Sequence, residues 1–256
     1  PRTATYQYLD RSKNVLVAVI DTGVNYKHPD LAANIWTNLA EASGQPGVDD
    51  DGNGYVDDIH GYNFVNNTGD PMDDNGHGSH CAGTIGAEGN NGIGVVGMSW
   101  SVSIMAIKFL DARGTGTLDL ALKALNYAVK SKAVILSNSW GGALKSETLK
   151  AAVGETLKTG RLFVAAAGND GVSNEGASAT VPASYPFENI IAVSAVNNRG
   201  DIAHFSNFGP QSVHVAAPGV NILSTTLGSN YDTMSGTSMA APHVSGVAAL
   251  LLAREP

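Results

Sequence analysis

Near its C-terminal end the chain carries a Ser/Gly-rich turn that leads into an almost wholly apolar run. The turn covers residues 235–246 and the apolar run covers residues 247–253. Thr237 is a good N-cap residue, so Ser238 is expected in the first turn of a helix. Apolar side chains follow on every face, which predicts a helix buried in the core. A serine at the positive end of such a helix suggests a nucleophile, because the helix dipole favours negative charge there.

Pro242 lies four residues after Ser238, where it departs from the usual rules of a helix. Its ring crowds the carbonyl of Ser238 and removes one backbone hydrogen bond. A local departure of this kind often accompanies a functional site. Taken alone, however, the stretch fits a capped core helix with an idle serine equally well, so the rest of the chain has to decide.

The composition fits one compact domain over residues 1–256. Hydrophobic residues make up 43% and charged residues 15%, and 30 glycines are present, which suits a loop-rich α/β enzyme. The net charge of -8, without a run of Lys or Arg, argues against nucleic acid or an anionic membrane as a partner.

Cys81 is the one cysteine, so no disulfide can form within the chain, and a core of this size needs none. Residues 1–14 are polar and lack a signal-peptide pattern, and no apolar run reaches transmembrane length. Two locations stay open at this point: the cytosol, or the cell exterior for a mature form whose leader has been removed.

Apolar strand-like segments alternate with helical segments along the chain. Strands are predicted at residues 15–20, 102–109, 133–136, 162–166, 190–196 and 213–216. Helices are predicted at residues 77–85, 118–130, 146–158 and in the stretch that holds Ser238, whereas residues 40–76 form a long polar region. This alternation predicts an α/β fold, with a mainly parallel β-sheet and helices on both faces.

Polar residues follow three of the predicted strands at the point where each strand ends. These residues are Asp21, Ser139 and Asn169. In parallel sheets the ligand sits outside the carboxyl ends of the strands, so we expect the three to converge on one site.

His77 and Asp21 complete a possible catalytic set with Ser238. Taken singly, Asp21 fits a turn residue and His77 a structural histidine. The glycines on either side of His77 let the backbone turn tightly and leave the imidazole accessible. Together the three supply a nucleophile, a general base that works near neutral pH and a carboxylate that orients the base.

Three segments resemble the signature segments of the subtilisin-like serine peptidases, the subtilase family. They are Asp-Thr-Gly at residues 21–23, Asn-Gly-His-Gly-Ser-His at 75–80 and Gly-Thr-Ser-Met-Ala-Ala-Pro-His at 236–243. Their order, Asp then His then Ser, is that of subtilisin and differs from that of chymotrypsin. The resemblance covers nearly the whole chain. It implies a three-layer subtilisin-like fold and a secreted endopeptidase that cleaves peptide bonds through an acyl-enzyme.

The resemblance also implies an oxyanion site and a substrate groove. Asn169 matches the family's oxyanion donor and would act with the backbone N–H of Ser238; a turn residue is the alternative. Thr180 would form the base of the first specificity pocket and make it shallow, and Asp170 at the rim would favour basic side chains. The segments that match the groove and pocket walls are Gly114, Thr115 and Gly116; Ser139, Trp140 and Gly141; and Ala166 to Gly168.

Five carboxylates are packed into residues 49–58, and their repulsion is costly unless a cation binds or the loop is fully solvated. Asp49, Asp51, Asn53, Tyr55 and Asp57 follow positions 1, 3, 5, 7 and 9 of an EF-hand loop. Position 12 is His60 instead of Glu, and the nearby Asp58 is a possible substitute. These hard oxygen ligands favour calcium over zinc, while a solvated loop without metal stays the alternative.

A second calcium site follows from the resemblance alone. Residues 89–95 are similar to the family's strong calcium loop. That likeness implies ligation by the side chains of Asn91 and Asp30 and by the carbonyls of Gly89, Ile93 and Val95, with Gln7 as a candidate for the remaining ligand.

Cys81 lies one helical turn after His77 and is expected to touch the back of the imidazole. Its position resembles the thiol-containing branch of the family, which includes thermitase and proteinase K. For its native role we favour a small buried hydrophobe.

The resemblance further implies protein or peptide substrates, a monomer, and a cognate pro-region that acts as folding aid and inhibitor. Relatives continue well beyond the serine helix, so a C-terminal part is expected to be missing here. Two other functions stay open: an esterase or peptide ligase that uses the same acyl-enzyme, and a non-catalytic calcium-binding module. The intact Asp21, His77, Ser238 and Asn169 argue against the module.

Overall fold

The computed structural model describes residues 12–142 and 145–254, and its centre is a seven-stranded sheet. The strands are β1 Leu16–Asp21, β2 Gly61–Asn63, β3 Ser103–Lys108, β4 Ile135–Asn138, β5 Leu162–Ala166, β6 Ile190–Val196 and β7 Val215–Pro218. Their spatial order is β2-β3-β1-β4-β5-β6-β7, and every pair is parallel. The carboxyl ends of all seven strands therefore meet at one edge.

Five helices and a hairpin complete the described elements. The helices are α1 Leu39–Ser43, α2 His77–Gly86, α3 Leu118–Lys130, α4 Glu147–Lys158 and α5 Thr237–Arg254, with 3₁₀ turns at Ser12–Asn14 and Ala32–Asn34. Strands β8 Ile222–Thr225 and β9 Tyr231–Met234 pair antiparallel as a separate hairpin. Among the described residues, no helix combines the length and the hydropathy that crossing a bilayer requires.

Helices cover both faces of the sheet. Side chains of β1 alternate between the two sides, because successive residues of a strand point to opposite faces. Leu16 and Ile20 pack in the same cluster as Leu125 of α3, whereas Val17 and Val19 pack in the other cluster, with α2 and α5. The predicted three-layer α/β fold with a mainly parallel sheet is confirmed.

Several predicted boundaries match the structure, and others do not. The helix over residues 118–130 and the strands over 162–166 and 190–196 are found as predicted. Strands β4 and β7 each begin two residues later than predicted, and the polar region 40–76 contains α1 and β2. These short elements carry too few residues for a periodic pattern to reveal them.

Helix α5 differs from the prediction at both ends. It begins at Thr237, so Thr237 belongs to the helix and is not its N-cap. Its small side chains face the sheet and α2; at Gly246, an added Cβ would lie 2.6 Å from the Cβ of Met98. The opposite face carries Leu251, which is 64% exposed. The prediction of burial on every face is therefore wrong for the second half of the helix.

Candidate active site

The carboxyl edge of the sheet brings together the polar residues that follow β1, β4 and β5. Asp21 is the last residue of β1, and Ser139 follows β4 directly. The hydroxyl of Ser139 donates to the carbonyl of Ser238 at 2.9 Å, and the Oδ1 of Asn169 accepts from the N–H of Thr237 at 2.8 Å. The predicted convergence is thus present in the structure, at the start of α5.

Asp21 and His77 form a buried hydrogen-bonded pair. Nδ1 of His77 donates to Oδ1 of Asp21 at 2.8 Å, and the same oxygen accepts from the N–H of Thr22 at 2.7 Å. The side chain of Asp21 is 1% exposed and that of His77 is 26% exposed. Burial alone would lower the pKa of His77, but the charge and hydrogen bond of Asp21, with the charge of Asp73, raise it above its ordinary value.

Glycines allow α2 to begin directly against the loop that follows β1. Gly76 precedes the helix with a positive φ of 105°, a conformation that L side chains rarely adopt. At Gly78, an added Cβ would overlap the carbonyl oxygen of Gly23 and lie 3.2 Å from the Cβ of Asp21. A side chain at position 78 would therefore push His77 away from Asp21.

Because of Pro242, the carbonyl of Ser238 accepts hydrogen bonds from residues outside its own helix. Proline has no N–H, so the usual hydrogen bond within the helix to Ser238 O is missing. That oxygen accepts from the Ser139 hydroxyl and, at 3.4 Å, from the thiol of Cys81. The departure from helix rules noted in the sequence thus ties the start of α5 to α2 and to the residue after β4.

Cys81 connects Ser238 to the Asp21–His77 pair. A carboxylate oxygen of Asp21, a ring nitrogen of His77 and the Sγ of Cys81 lie within 4.8 Å of one another. The Cys81 thiol also contacts the Ser238 carbonyl. The hydroxyl of Ser238 donates to the carbonyl of Ser139 at 3.1 Å; no hydrogen bond in the described part of the chain joins it to His77. In free enzymes such bonds are often long and shorten only when substrate binds.

Two hydrogen-bond donors lie near Gly236. The Nδ2 of Asn169 and the backbone N of Ser238 each lie 3.6 Å from the position of an added Cβ on Gly236. The Oδ1 of Asn169 is held by the N–H and the hydroxyl of Thr237, which leaves its amide N–H groups for a ligand. The two donors that an oxyanion site would use thus lie close to one another.

Two cavities share the segment Ser139 to Gly141, which follows β4, as part of their walls. One, of about 540 Å³, runs beside His77 and is also lined by Gly114, Thr115 and Gly116. The other, of about 310 Å³, is also lined by Ala166, Gly168, Asn169, Asp170, Thr180 and Ser238. The structure thus brings the predicted groove and pocket residues into two cavities that share Ser139 to Gly141.

Thr180 is buried beside the smaller cavity. Its Oγ1 accepts from the Nδ2 of Asn207 at 2.9 Å, and its methyl carbon lies 2.8 Å from where a Cβ on Gly141 would be. Thr180 thus lines this cavity, and its role as the base of a shallow pocket stays a prediction.

Cys81 is fully buried on α2, one turn after His77. Burial raises the pKa of its thiol well above the ordinary value. A protonated thiol that donates to the Ser238 carbonyl is consistent with the structural role favoured for Cys81.

The acidic loop gathers a different set of carboxylates from the one its EF-hand spacing predicts. Oxygens of Glu41, Asp51 and Asp58 lie within 4.8 Å of one another. Asp49 instead accepts the backbone N–H groups of Asn53 and Gly54. Glu41, which sequence reasoning missed, is thus a further candidate ligand beside Asp51 and Asp58, while the ligand set predicted from the EF-hand spacing stays a prediction.

Other predicted members of this loop also make contacts within the protein. Asp57 accepts the N–H of Gly47, and Nδ1 of His60 donates to the Trp36 carbonyl. The ring of Tyr55 packs edge-on against that of Tyr127. The side chain of Asn53 donates to both Asp51 and Asp58, so it lies beside the cluster.

The cluster fits a hard divalent cation. Burial raises the pKa of Asp58, while hydrogen bonds from Tyr127, Asn38 and Asn53 oppose the rise. A cation would remove the repulsion among the three carboxylates, which are ligands of the type that calcium prefers.

The second predicted calcium loop folds over Asp30. The Nδ2 of Asn91 donates to Asp30 Oδ1 at 2.6 Å, and the N–H of Val95 donates to Oδ2 at 2.9 Å. Gly89 and Ile93 lie in the same loop, and the N–H of Ile93 is bonded to the Oδ1 of Asn91. A half-turn of the Asn91 amide would present Oδ1 to a cation beside Asp30, so the residues fit one. Gln7 lies outside the described residues.

Two buried charged residues next to the triad escaped the sequence analysis. Lys108, which is 1% exposed, donates from Nζ to the carbonyls of Thr22 and Leu110 and to Asp74. Asp73 accepts from Thr22 and Ser79. Two features of the sequence could have identified them: Lys108 lies inside an apolar predicted strand, and Asp73 lies shortly before a predicted helix.

The model of the subtilase family matches residues 12–256. The chain is 45% identical over 235 residues to a thermophilic serine proteinase of Bacillus sp. (strain AK1), covering 92% of this chain and 51% of that protein. It is 39% identical over 258 residues to subtilisin-like protease 1 of Plasmodium berghei (strain Anka), covering 94% of this chain and 43% of that protein.

A solved structure is similar over the same region. The crystal structure of a cold adapted subtilisin-like serine proteinase matches with a TM-score of 0.79 and 32% identity, covering 96% of this chain and 77% of that one. The chain spans about half the length of the curated relatives it matches.

Proposed function

Because this chain belongs to the subtilase family, we propose that it is a serine endopeptidase that cleaves peptide bonds through an acyl-enzyme. The observation that carries the proposal is the 2.8 Å bond between Asp21 and His77 beside Ser238. The family match shows the relationship, and the geometry supports a complete set of catalytic groups.

The first half of the reaction forms the acyl-enzyme. The hydroxyl of Ser238 leaves its bond to the Ser139 carbonyl and attacks the scissile carbonyl, while its proton passes to Nε2 of His77. Asp21 holds the proton on Nδ1, so Nε2 is free to act as base, and it stabilises the imidazolium that forms. His77 then gives the proton to the leaving amine.

The second half reverses these roles with water as the nucleophile. His77 takes a proton from water, the resulting hydroxide attacks the ester carbonyl, and the proton returns to Ser238. In both tetrahedral intermediates the oxyanion is held by Asn169 Nδ2 and the N–H of Ser238.

Labelling with a fluorophosphonate tests the activity. We expect one label per molecule, mapped to the peptide that contains Ser238, and none in Ser238→Ala. Casein should be cut by the unlabelled protein and left intact after labelling. A folded protein that takes no label, or takes it elsewhere, would contradict the proposal.

An extended peptide fits between Gly114–Gly116 and Ser139–Gly141, where glycine lets the substrate backbone approach closely. Buried Thr180 narrows the pocket, so we expect small or basic side chains, favoured by Asp170, before the cut. Cleavage profiling with a peptide library measures this preference. Large aromatic side chains or Glu as the best residues would refute it.

We propose calcium as the stabilising cation at two places, the Glu41–Asp51–Asp58 cluster and the loop over Asp30. Calcium that is present at 100 times its Kd stabilises the folded state by about 2.7 kcal/mol per site. For a chain of this size, removal from one site is expected to lower Tm by roughly 5–10 °C. Thermal unfolding of the Ser238→Ala protein with and without excess chelator measures the shift without self-digestion.

Matched variants assign the calcium effect to a site. Asp51→Asn and Asp30→Asn should each remove part of the chelator-sensitive shift. Asp119→Asn is the control, because Asp119 is exposed and pairs only with Lys123. An unchanged Tm in excess chelator would count against both sites.

We also propose that the protein acts outside the cell, where calcium is abundant, and that its substrates are proteins or peptides. A cognate pro-region, as the family resemblance implies, would assist folding and inhibit the enzyme. The yield of active enzyme on refolding with and without that segment measures its effect.

A further inference from the structure

A second buried aspartate lies next to the catalytic pair. Asp73 is 5% exposed and sits in the loop before α2. Its carboxylate accepts five hydrogen bonds at 2.7–3.0 Å. The donors are the hydroxyl of Thr22, the N–H groups of Asn75 and Gly76, and both the N–H and the hydroxyl of Ser79.

Thr22 connects this carboxylate to both members of the pair. Its hydroxyl donates to Asp73 at 2.8 Å and accepts from the N–H of Gly78 at 2.9 Å. Thr22 is the neighbour of Asp21 in the chain, and Gly78 is the neighbour of His77. One short chain of hydrogen bonds therefore links the backbones that carry the two catalytic side chains.

Asp73 also supplies the cap that α2 lacks. The N-cap residue is Gly76, which has no side chain to accept from the first turn. Asp73 accepts the N–H of Ser79, and Thr22 accepts that of Gly78, so two of the free N–H groups of the helix are satisfied. The hydroxyl of Ser79 in turn accepts from the N–H of Asn25.

We propose that Asp73 is a positioning residue for acyl transfer: through Thr22 and Ser79 it holds the helix of His77 in register with Asp21. This inference rests on the proposed function. It gives Asp73 no contact with the substrate, and its effect reaches the reaction through the orientation and the charge state of His77.

The charge of Asp73 adds an effect that a neutral cap lacks. The titratable or charged groups around His77 are Asp21 on β1, Asp73 in the preceding loop and Cys81 and His80 on α2, with Lys108 behind Thr22 on β3. Asp73 and Asp21 both raise the pKa of His77. Removing the charge of Asp73 lowers that pKa, so His77 stays neutral, and able to act as base, at a lower pH.

Asp73→Asn tests both effects. We expect kcat per active site to fall roughly 10–100-fold, since small misplacements of catalytic groups cost this much. We also expect the acid limb of the pH profile of kcat/KM to move to lower pH. Active sites are counted by fluorophosphonate titration, so misfolded molecules do not enter the rate. The control is Asp70→Asn, because Asp70 lies in the same loop but its carboxylate accepts, among the described residues, only from Met72 and Tyr26.

Thr22→Val separates the effect of Asp73 on the position of His77 from the effect of its charge. It also tests the inference if Asp73→Asn fails to fold. It breaks the link to Asp73 and Gly78 but keeps the charge, so kcat should fall while the acid limb stays close to that of the wild type. Thr22→Ser should restore most of the lost rate.

An unchanged kcat per titrated site with an unmoved acid limb in Asp73→Asn would overturn the inference, as would full activity of Thr22→Val. A wild-type protein that is not labelled and cleaves nothing would instead overturn the proposed function.

Discussion

Replacing Ser238 with alanine is expected to lower turnover by about 10⁴–10⁶-fold, the range established for triad members in subtilisin itself and adopted here for its relative. The reason is that no acyl-enzyme can form without the hydroxyl. KM should change little, because the groove, the pocket and the oxyanion donors remain. Steady-state kinetics on a peptide amide, with the protein concentration taken from absorbance, measure the loss.

The fold of Ser238→Ala should stay intact. The hydroxyl makes one hydrogen bond, to the Ser139 carbonyl, while the backbone carbonyl keeps its bonds from Ser139 and Cys81. Ser235→Ala is the matched control, because Ser235 lies three residues earlier, is exposed and accepts only from the N–H of Asn221. A Ser238→Ala protein that keeps more than about a hundredth of the activity would identify a different nucleophile.

Changing Asn169 to aspartate is expected to lower kcat by about 10²–10³-fold or more. Loss of one oxyanion donor costs ~2.7–4 kcal/mol in subtilisin itself, from which we adopt the figure. Aspartate keeps an oxygen for the N–H and hydroxyl of Thr237, which the structure shows bonded to Asn169. It places a second, negatively charged oxygen where the amide donor stood, so the oxyanion is repelled.

The split between kcat and KM identifies the role of Asn169. The negative charge on the substrate oxygen develops only after attack, so kcat should fall while KM changes little. Thr237→Ser keeps the hydroxyl that anchors Asn169 and serves as the comparison for disturbance of the helix start. A rise in KM with an unchanged kcat would mean that Asn169 binds the substrate without stabilising the transition state.

The catalytic residues were predictable because the chemistry limits the residue types and the family motifs limit their neighbours. The strand pattern placed Asp21, Ser139 and Asn169 at one edge of the sheet, where the structure has them beside the start of the helix that carries Ser238. Long periodic segments such as Leu118–Lys130 were predictable to the residue. Their apolar spacing alone specifies which face packs against the sheet.

The acidic loop could not be predicted in the same way. EF-hand spacing assumes that the ligands come from one continuous loop. Here Glu41 lies outside that loop, in the one-turn helix α1. The Glu41 carboxylate accepts the N–H groups of Asp50, Asp51 and Asp57. This contact joins residues nine to sixteen positions apart, and local spacing carries no sign of it.

Asp73 and Lys108 were missed for a related reason. A charged residue inside an apolar strand has no evident partner until the neighbouring strands are placed. Lys108 ends β3 beside the end of β1, so its ammonium reaches the Thr22 carbonyl only through the sheet register. Both residues belong to contacts that exist only in the folded chain.

The order of Asp21, His77 and Ser238 along the chain determines when during folding the three residues come together. The carboxylate and the base come from residues 21 and 77, but the nucleophile comes on α5, which packs across β4 to β7 and against α2. During synthesis or refolding, the serine thus reaches its partners only after most of the sheet exists. Under the proposed function, an unfinished molecule can be cleaved by a finished copy of the same chain but cannot itself cleave. The rate of this last docking step would then set how long each new molecule is exposed to cleavage.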